Sequence, residues 1–297
     1  MKTVIIGLGL IGGSIGIDLR KRGVATSLIG VDENQDHCED AVRLGIVDKT
    51  VSMEKALPEA DLVIVAIPVT AITKLIPHVL DAVNSNTIVI DTGSTKASIC
   101  KSVIGHKKRS QFVAAHPIAG TENSGPGAAF SGLFRKKTMI VCERNLSSEK
   151  ALSVADKVFE ALEVKPIYME PVEHDKHVAY VSHLSHVSSF LLGQTVMDIE
   201  KDEKNIFDLA GSGFASTVRL AKSSPEMWAP IFEQNVEYLS QALLEYIMHL
   251  QRFHYHLMKK DSKEIHRIMT EANEIRRVLS GIELKDQKDK EIESIIE

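Results

Sequence analysis

Along the first half of the chain, short apolar runs alternate with stretches whose apolar positions recur every three or four residues. Residues 2–7 (KTVIIG), 27–32 (SLIGVD), 61–68 (DLVIVAIP), 86–93 (NTIVIDTG) and 111–117 (QFVAAHP) are short and β-branched, and they end in Gly, Pro or polar turns. They read as buried strands. Residues 136–143 (KKTMIVCE) and 165–170 (KPIYME) are two further strand candidates. Between them, 72–83 and 147–162 carry helical patterns, the second opening on a Ser-Ser-Glu capping sequence. Such alternation predicts an α/β fold with a mostly parallel sheet covered on both faces.

After about Pro171 the pattern changes. Residues 173–199, 226–253 and 262–279 form long apolar stretches of helical period with no strand between them. They predict an all-helical second domain over 171–282, after a first domain over 1–170. The charged segment 283–297 is expected to be a peripheral tail. The long apolar helices exceed what one subunit can bury, so a homodimer through the helical domain is expected.

Composition narrows the function classes. Of 297 residues, 44% are hydrophobic and 25% charged, the balance of an ordinary globular protein with a sizeable core. The net charge is −5 and no basic block is long enough to track a phosphate backbone, which argues against nucleic acid. Cys38, Cys100 and Cys142 are scattered and odd in number, with neither a disulfide framework nor a CxxC metal spacing. They fit a reducing, cytoplasmic setting. The apolar start is interrupted by glycines and Asp18, so it reads as a strand and turn, not a signal peptide. No run reaches the length of a membrane helix.

The turn after the first strand carries the first chemistry. Gly7, Leu8, Gly9, Leu10, Ile11 and Gly12 spell G-x-G-x-x-G between a strand and a helix. Gly7 permits the tight turn, Gly9 a close approach of backbone to pyrophosphate, and Gly12 close helix–strand packing. The helix N-terminus then offers free N–H groups to the phosphates. Asp32 ends the second strand twenty residues later, where a carboxylate accepts from the adenosine ribose hydroxyls. The sequence DENQD that it opens is acidic and lacks Arg, which favours NAD over NADP. Pro68, at the end of the 61–68 strand, is counted with these residues as cofactor-binding. Together they make the first domain a Rossmann-type nucleotide-binding domain. The plainer alternative is a simple turn and a surface Asp32.

Two more strand ends carry polar groups. DTGSTK (91–96) offers the Ser94 hydroxyl and the Lys96 cation, and AAHPIAGTE (114–122) offers His116. Oxidising an alcohol requires an acceptor for its proton, and a neutral His serves that role. The alternatives are that Ser94 or Thr95 caps the next helix and that His116 is a core imidazole bonded to a carbonyl. On the 173–199 helix, Asp175 and His186 lie eleven residues apart, only ~20° from one another at ~100° per residue. Ser182 and Ser189 fall on the same side. A polar stripe on so apolar a helix calls for buried partners or a ligand. The i, i+3 pairs His174/His177 and His183/His186 are compatible with a metal, but they point in different directions and lack an HExxH or Cys pattern. No metal is expected.

The motifs IIGLGLIGGS, DTGSTK, HPIAGTE, SHLSH and GSGFASTVRLAKSSPEMW, in that order, resemble the prephenate dehydrogenases of tyrosine biosynthesis and the related arogenate dehydrogenases. The resemblance runs from residue 1 to about 280. It implies NAD-dependent oxidative decarboxylation of prephenate to 4-hydroxyphenylpyruvate. By resemblance, His116 assists removal of the 4-hydroxyl proton, Ser94 holds that hydroxyl, and Arg219 binds a substrate carboxylate. His186 lies at the substrate, Asp175 pairs with Arg219, and Glu122 stands at the entrance. Trp228 corresponds to an aromatic near the substrate pocket, on the same or the other subunit. Taken by themselves, Glu122 reads as a solvated loop glutamate, Arg219 also as a surface charge and Trp228 as a packing anchor.

The chain departs from the family at Ser185, where relatives often carry Pro, and at Ala215 and Ser216, where many have larger or charged residues. These positions bear on substrate preference and feedback control. The chain is too short for the ACT-type regulatory domain that many relatives add, so any tyrosine inhibition is expected at the active site. Three alternatives stand beside this reading. One is an arogenate or dual-substrate cyclohexadienyl dehydrogenase. Another is a β-hydroxyacid-type dehydrogenase, which would place a catalytic Lys on the first long helix of the second domain, where this chain has His and Ser. The last is a non-catalytic NAD-binding regulator.

Overall fold

The computed structural model describes residues 1–201 and 205–282; the charged segment read as a tail, 283–297, lies outside the described residues, as do 202–204. The described chain forms two compact units, Met1–Leu239 and the part beginning at Ser240.

The first unit is built on one eight-stranded sheet. Its strands are β1 (Lys2–Ile6), β2 (Ser27–Val31), β3 (Lys49–Thr50), β4 (Leu62–Val65), β5 (Ile88–Asp91), β6 (Phe112–Pro117), β7 (Thr138–Cys142) and β8 (Lys165–Met169). Seven lie within the apolar runs that the sequence marks. β3 carries no such run, because two residues at the sheet edge need only the pairing with β2. The order is β3-β2-β1-β4-β5-β6-β7-β8, and every pair is parallel except β6–β7. The chain leaves β1 in one direction toward β2 and β3, then returns to β4 on the other side. The carboxyl ends of β1 and β4 therefore flank the switch point, where open α/β sheets bind ligands.

The described fold also contains the α-helices α1 (Leu10–Lys21), α2 (Gln35–Arg43), α3 (Met53–Ala56), α4 (Val69–Ala82), α5 (Ala97–Val103), α6 (Glu149–Ala161), α7 (Pro171–Val178), α8 (Leu184–Glu200), α9 (Ser212–Val218), α10 (Pro225–Gln234), α11 (Val236–Met258) and α12 (Ser262–Ala272), and the helical residues 276–282. Alternate residues of each central strand point to opposite faces. Ile5, Ile64, Ile90 and Val113 pack with Ile15 and Leu19 of α1 and Val158 and Phe159 of α6. Val4, Val63, Val89 and Phe112 pack with Ile72, Ile76 and Val79 of α4 and Ile99 and Val103 of α5. Each fully enclosed Ile, Leu, Val or Phe contributes about 1.5–3 kcal/mol. Cys38, Cys100 and Cys142 are buried and free.

All three long helical stretches are interrupted, 262–279 by a 3-10 turn over Asn273–Ile275. Residues 173–199 do not form one helix. A π turn over Ala179–His183 separates α7 from α8, and its wider i→i+5 bonding shifts the phase of everything after it. The 100° wheel that placed Asp175 and His186 on one stripe therefore does not apply across it. Residues 226–253 are likewise broken at Asn235, whose backbone leaves the helical region (φ −108°, ψ 28°) between α10 and α11.

The unit beginning at Ser240 comprises the rest of α11, α12 and, after the Asn273–Ile275 turn, the helical residues 276–282. Asp261 caps α12 by accepting from the Glu264 N–H at 3.2 Å. Leu244, Met248, Leu250 and Leu257 of α11 are exposed in the single chain. Among the described residues no helix is long and apolar enough to cross a membrane.

Candidate active site

The Gly-rich turn is set by sterics. Gly7 has φ +95°, and a Cβ there would lie 2.3 Å from the carbonyl oxygen of Ala66, just beyond β4. A Cβ on Gly12 would meet the Gly7 carbonyl oxygen at 1.9 Å. Gly9, in contrast, faces open space, with no atom within 4 Å of a Cβ built on it. It immediately precedes α1, whose first turn has no side-chain cap. The cradle therefore fits a dinucleotide pyrophosphate: two glycines close the backbone up and the third leaves the approach clear. Asp32 sits beside it. Its carboxylate accepts from the Leu8 N–H at 2.8 Å and the Asn34 N–H at 2.9 Å. Asp32 thus braces the turn from just beyond the end of β2. His37 Nδ1 lies 3.6 Å from the same carboxylate. Pro68 is exposed at the start of α4, on the same edge.

The ends of β5 and β6 are neighbours, with Asp91 paired to Ala114. Lys96 does not face the crevice. It is fully buried, ion-paired with Asp91, and donates to the Ala115 carbonyl at 2.7 Å. Asp91 also accepts from the N–H groups of Gly93 (2.9 Å) and Ala115 (3.2 Å). Burial raises the Asp91 pKa, and the charge of Lys96 opposes that rise. This buried pair ties the Ser94 loop to the strand that carries His116. Ser94 is half-buried, and its hydroxyl has no partner among the described residues.

Neither Ser94 nor Thr95 caps α5. Thr95 donates to Gln234 at 2.7 Å, and the N-cap position, Lys96, makes no side-chain cap. The cap comes from α7. The Asp175 carboxylate accepts the Lys96 N–H at 2.7 Å and the Ala97 N–H at 2.9 Å. Side-chain caps are typically worth about 1 kcal/mol. Asp175 is 2% exposed and makes no pair with Arg219, which corrects the pairing that the resemblance implied. Its oxygens are already engaged inside the fold.

His116 is not a core imidazole bonded to a carbonyl. Its Nδ1 lies 2.8 Å from Nε2 of His174, and Nδ1 of His174 lies 2.7 Å from Oδ1 of Asp175. Desolvation holds the His116 pKa well below the usual histidine value, reinforced by His174, Lys96 and His183. Burial also lowers His174, while the bond and charge of Asp175 oppose that shift. Both rings are therefore neutral near pH 7. His116 Nε2 has no partner among the described residues.

The last residue of the π turn and the first turn of α8 present two more rings. His183 is buried and pairs through Nδ1 with the Asn235 side chain at 3.1 Å; burial pushes its pKa down to about 4. His186 stacks on Trp228 of the same chain, ring centroids 3.5 Å apart, and its Nδ1 contacts the Ser182 carbonyl at 2.9 Å. Burial lowers the His186 pKa too, with a smaller push from Arg219. Arg219 reaches Glu122 at 3.4 Å, both side chains partly in solvent. The structure thus gathers His116, Asp175 and the Ser94 loop on one side, and His186, Trp228, Arg219 and Glu122 on the other. Two participants that sequence reasoning did not assign are His174 and Asn235. The EHDKH segment showed an Asp next to a His, but not what either ring would face. Among the described residues no group of three or more His, Cys, Asp or Glu could hold a metal ion.

The family model described as prephenate dehydrogenase, nucleotide-binding domain, matches residues 15–168, and the one described as prephenate dehydrogenase, dimerization domain, matches 170–271. The first match begins past the Gly-rich turn, so the turn rests on its own geometry. The prephenate dehydrogenase of Lactococcus lactis is 28% identical over 281 residues, 94% of this chain and 77% of that protein. The cyclohexadienyl dehydrogenase of Zymomonas mobilis is 29% identical over 259 residues, 86% of this chain and 88% of that protein. Among solved structures, prephenate dehydrogenase from Aquifex aeolicus in complex with hydroxyphenyl propionate and NAD+ matches with a TM-score of 0.84 and 29% identity, covering 94% of this chain and 98% of that one. Synechocystis arogenate dehydrogenase matches with a TM-score of 0.73 and 28% identity, covering 94% and 100%.

Proposed function

The chain belongs to the prephenate dehydrogenase family, and on that premise we propose that it catalyses the NAD-dependent oxidative decarboxylation of prephenate to 4-hydroxyphenylpyruvate. It is an oxidoreductase, and NAD is its cofactor. When bound, NAD supplies the hydride acceptor. Gly7 through Gly12, Asp32 and Pro68 hold it at the switch point of the sheet. The carboxylate of Asp32 suits two ribose hydroxyls and repels a 2′-phosphate.

The observation that carries the reading is the state of His116: a neutral imidazole on the carboxyl edge, one ring nitrogen engaged and the other free. As hydride leaves the carbinol carbon, the hydroxyl turns into a protonated carbonyl and becomes strongly acidic. His116 Nε2 accepts that proton, and Ser94 holds the same oxygen. Loss of CO2 then returns an electron pair through the ring to that oxygen, and the proton goes back with it, so none is released overall. Proton acceptance of this kind contributes ~10²–10⁴-fold.

Prephenate carries two carboxylates. Arg219 supplies a two-pronged cation for one. His186, held flat against Trp228, forms the adjoining wall, and Glu122 stands at the entrance. The dimerization-domain match over 170–271 and the exposed apolar face of α11 support a homodimer through the helical part.

The test is a four-way assay: NAD or NADP with prephenate or arogenate, followed by absorbance of the reduced cofactor. The fastest turnover is expected with NAD and prephenate. Higher kcat/KM on arogenate, or no reduced cofactor in any of the four, overturns it.

A further inference from the structure

For His116 to accept a proton at Nε2, that nitrogen must carry a lone pair. An imidazole leaves this open, and the bond made by the other nitrogen decides it. The structure supplies that bond through a chain with a fixed direction. The chain starts at the N-terminus of α5, where the N–H groups of Lys96 and Ala97 point at the two oxygens of Asp175. Backbone N–H groups only donate, so they hold the Asp175 carboxylate as an acceptor. His174 Nδ1, 2.7 Å from that carboxylate, is therefore the protonated nitrogen of its ring. The ring is neutral, which leaves a lone pair on Nε2. That lone pair faces His116 Nδ1 at 2.8 Å, so His116 Nδ1 donates, and His116 Nε2 is left bare.

We propose that His174 and Asp175 are positioning residues that fix His116 with its proton on Nδ1, and that the same Asp175 carboxylate sets the Ser94 loop by holding the start of α5. The inference rests on the reading of His116 as the acceptor of the hydroxyl proton. One buried carboxylate then aligns both groups that touch the alcohol oxygen. As His116 gains its second proton, its Nδ1–H bond to His174 becomes charge-assisted, and the carboxylate behind His174 offsets the cost of burying the new charge. Asn235 anchors the arrangement by donating to the Asp175 carbonyl at 2.8 Å. The break between α10 and α11 puts that side chain in place.

The experiment records the ring-nitrogen NMR signals of the full-length protein labelled with 15N-histidine, His116 being assigned by its loss in His116→Asn. It adds steady-state kinetics of His174→Phe and His174→Gln. The expected result is His116 protonated at Nδ1. His174→Phe, which offers no acceptor, loses that tautomer and lowers kcat at least about tenfold, with KM for NAD unchanged; fixing an imidazole tautomer is worth far more than this in serine proteases. His174→Gln can present a carbonyl oxygen to His116 Nδ1, and it restores the tautomer and most of kcat. A wild-type His116 protonated at Nε2 overturns the inference, and that spectrum needs no variant to fold. So does a fully active His174→Phe beside an inactive His116→Asn. A His116→Asn enzyme as active as wild type instead overturns the functional reading itself, whatever tautomer is seen.

Discussion

The two sides of the candidate site hold their charges in opposite ways. On the His116 side, Lys96, Asp91, His174 and Asp175 are all at most 2% exposed, and each is bonded to groups on other elements. On the Arg219 side, the guanidinium side chain is 55% exposed, and its partner Glu122 lies 3.4 Å away at 32%. A proton acceptor works only in one tautomer and one orientation, so a low-dielectric, fully bonded setting suits it. A group that captures a dianion from water must stay hydrated and able to change partners. The sheet supplies the first environment, at the ends of β5 and β6. The short turn after α9 supplies the second.

The contrast breaks most sharply at His116. His116→Asn is expected to lower kcat by at least about a hundredfold. NAD affinity, measured by fluorescence titration, should stay nearly intact, since the cradle at Gly7–Gly12 and Asp32 is built from other strands. An unchanged kcat removes His116 from the mechanism.

Acid is the next largest lever, and it too acts on the buried side. His116, His174 and His183 all have pKa values lowered by burial, His183 to about 4. Between about pH 6.5, where an unfolded histidine titrates, and pH 4, the unfolded chain binds protons that the folded one refuses. Their contribution to stability is therefore complete above pH 6.5 and falls away as the pH drops. His183 alone accounts for about 3 kcal/mol across that window. Urea midpoints at pH 7.5 and 5.0 should show the loss with the slope unchanged, and His183→Gln should flatten it. A midpoint that rises on acidification contradicts the assignment.

Arg219→Ala probes the open side. Losing a charged hydrogen bond to a carboxylate costs about 1.5–3 kcal/mol, so KM for prephenate should rise by roughly ten- to a hundredfold while KM for NAD holds. Equal changes in both would place Arg219 outside the substrate site.

How far the sequence reached follows the same division. Strands whose residues are buried on both faces announce themselves as apolar runs, which is why β1, β4, β5 and β6 were legible and the two-residue β3 was not. The Gly-rich turn was legible because its spacing is itself a motif, and part of its sterics is local: a Cβ on Gly12 would meet the Gly7 carbonyl, five residues back. Asp175 was not. Its partners, Lys96 and Ala97, lie nearly eighty residues away, and nothing in EHDKH names them. A regular helical wheel could not anticipate the π turn over Ala179–His183, nor could an apolar run reveal the break at Asn235. Tertiary hydrogen bonds meet the chain at both places, and a single sequence does not print them. The role of His174 was not legible, because spacing shows neighbours on a helix, not what the helix faces.

The smallest effect tests the open side alone. Arg219 and Glu122 form a long contact in solvent, and such pairs contribute 0–1 kcal/mol. Glu122→Gln keeps the shape and removes the charge. It should lower the unfolding free energy, read from urea melts, by no more than about 0.5 kcal/mol, because water replaces what Arg219 loses. The kinetic change should run opposite to that of Arg219→Ala. With no carboxylate competing for the guanidinium, KM for prephenate should fall, by about twofold at most for an interaction of this size. A rise in KM would mean that Glu122 holds Arg219 in its working position, and that the open side is as tightly organised as the buried one. The contrast between the two sides would then be one of exposure only.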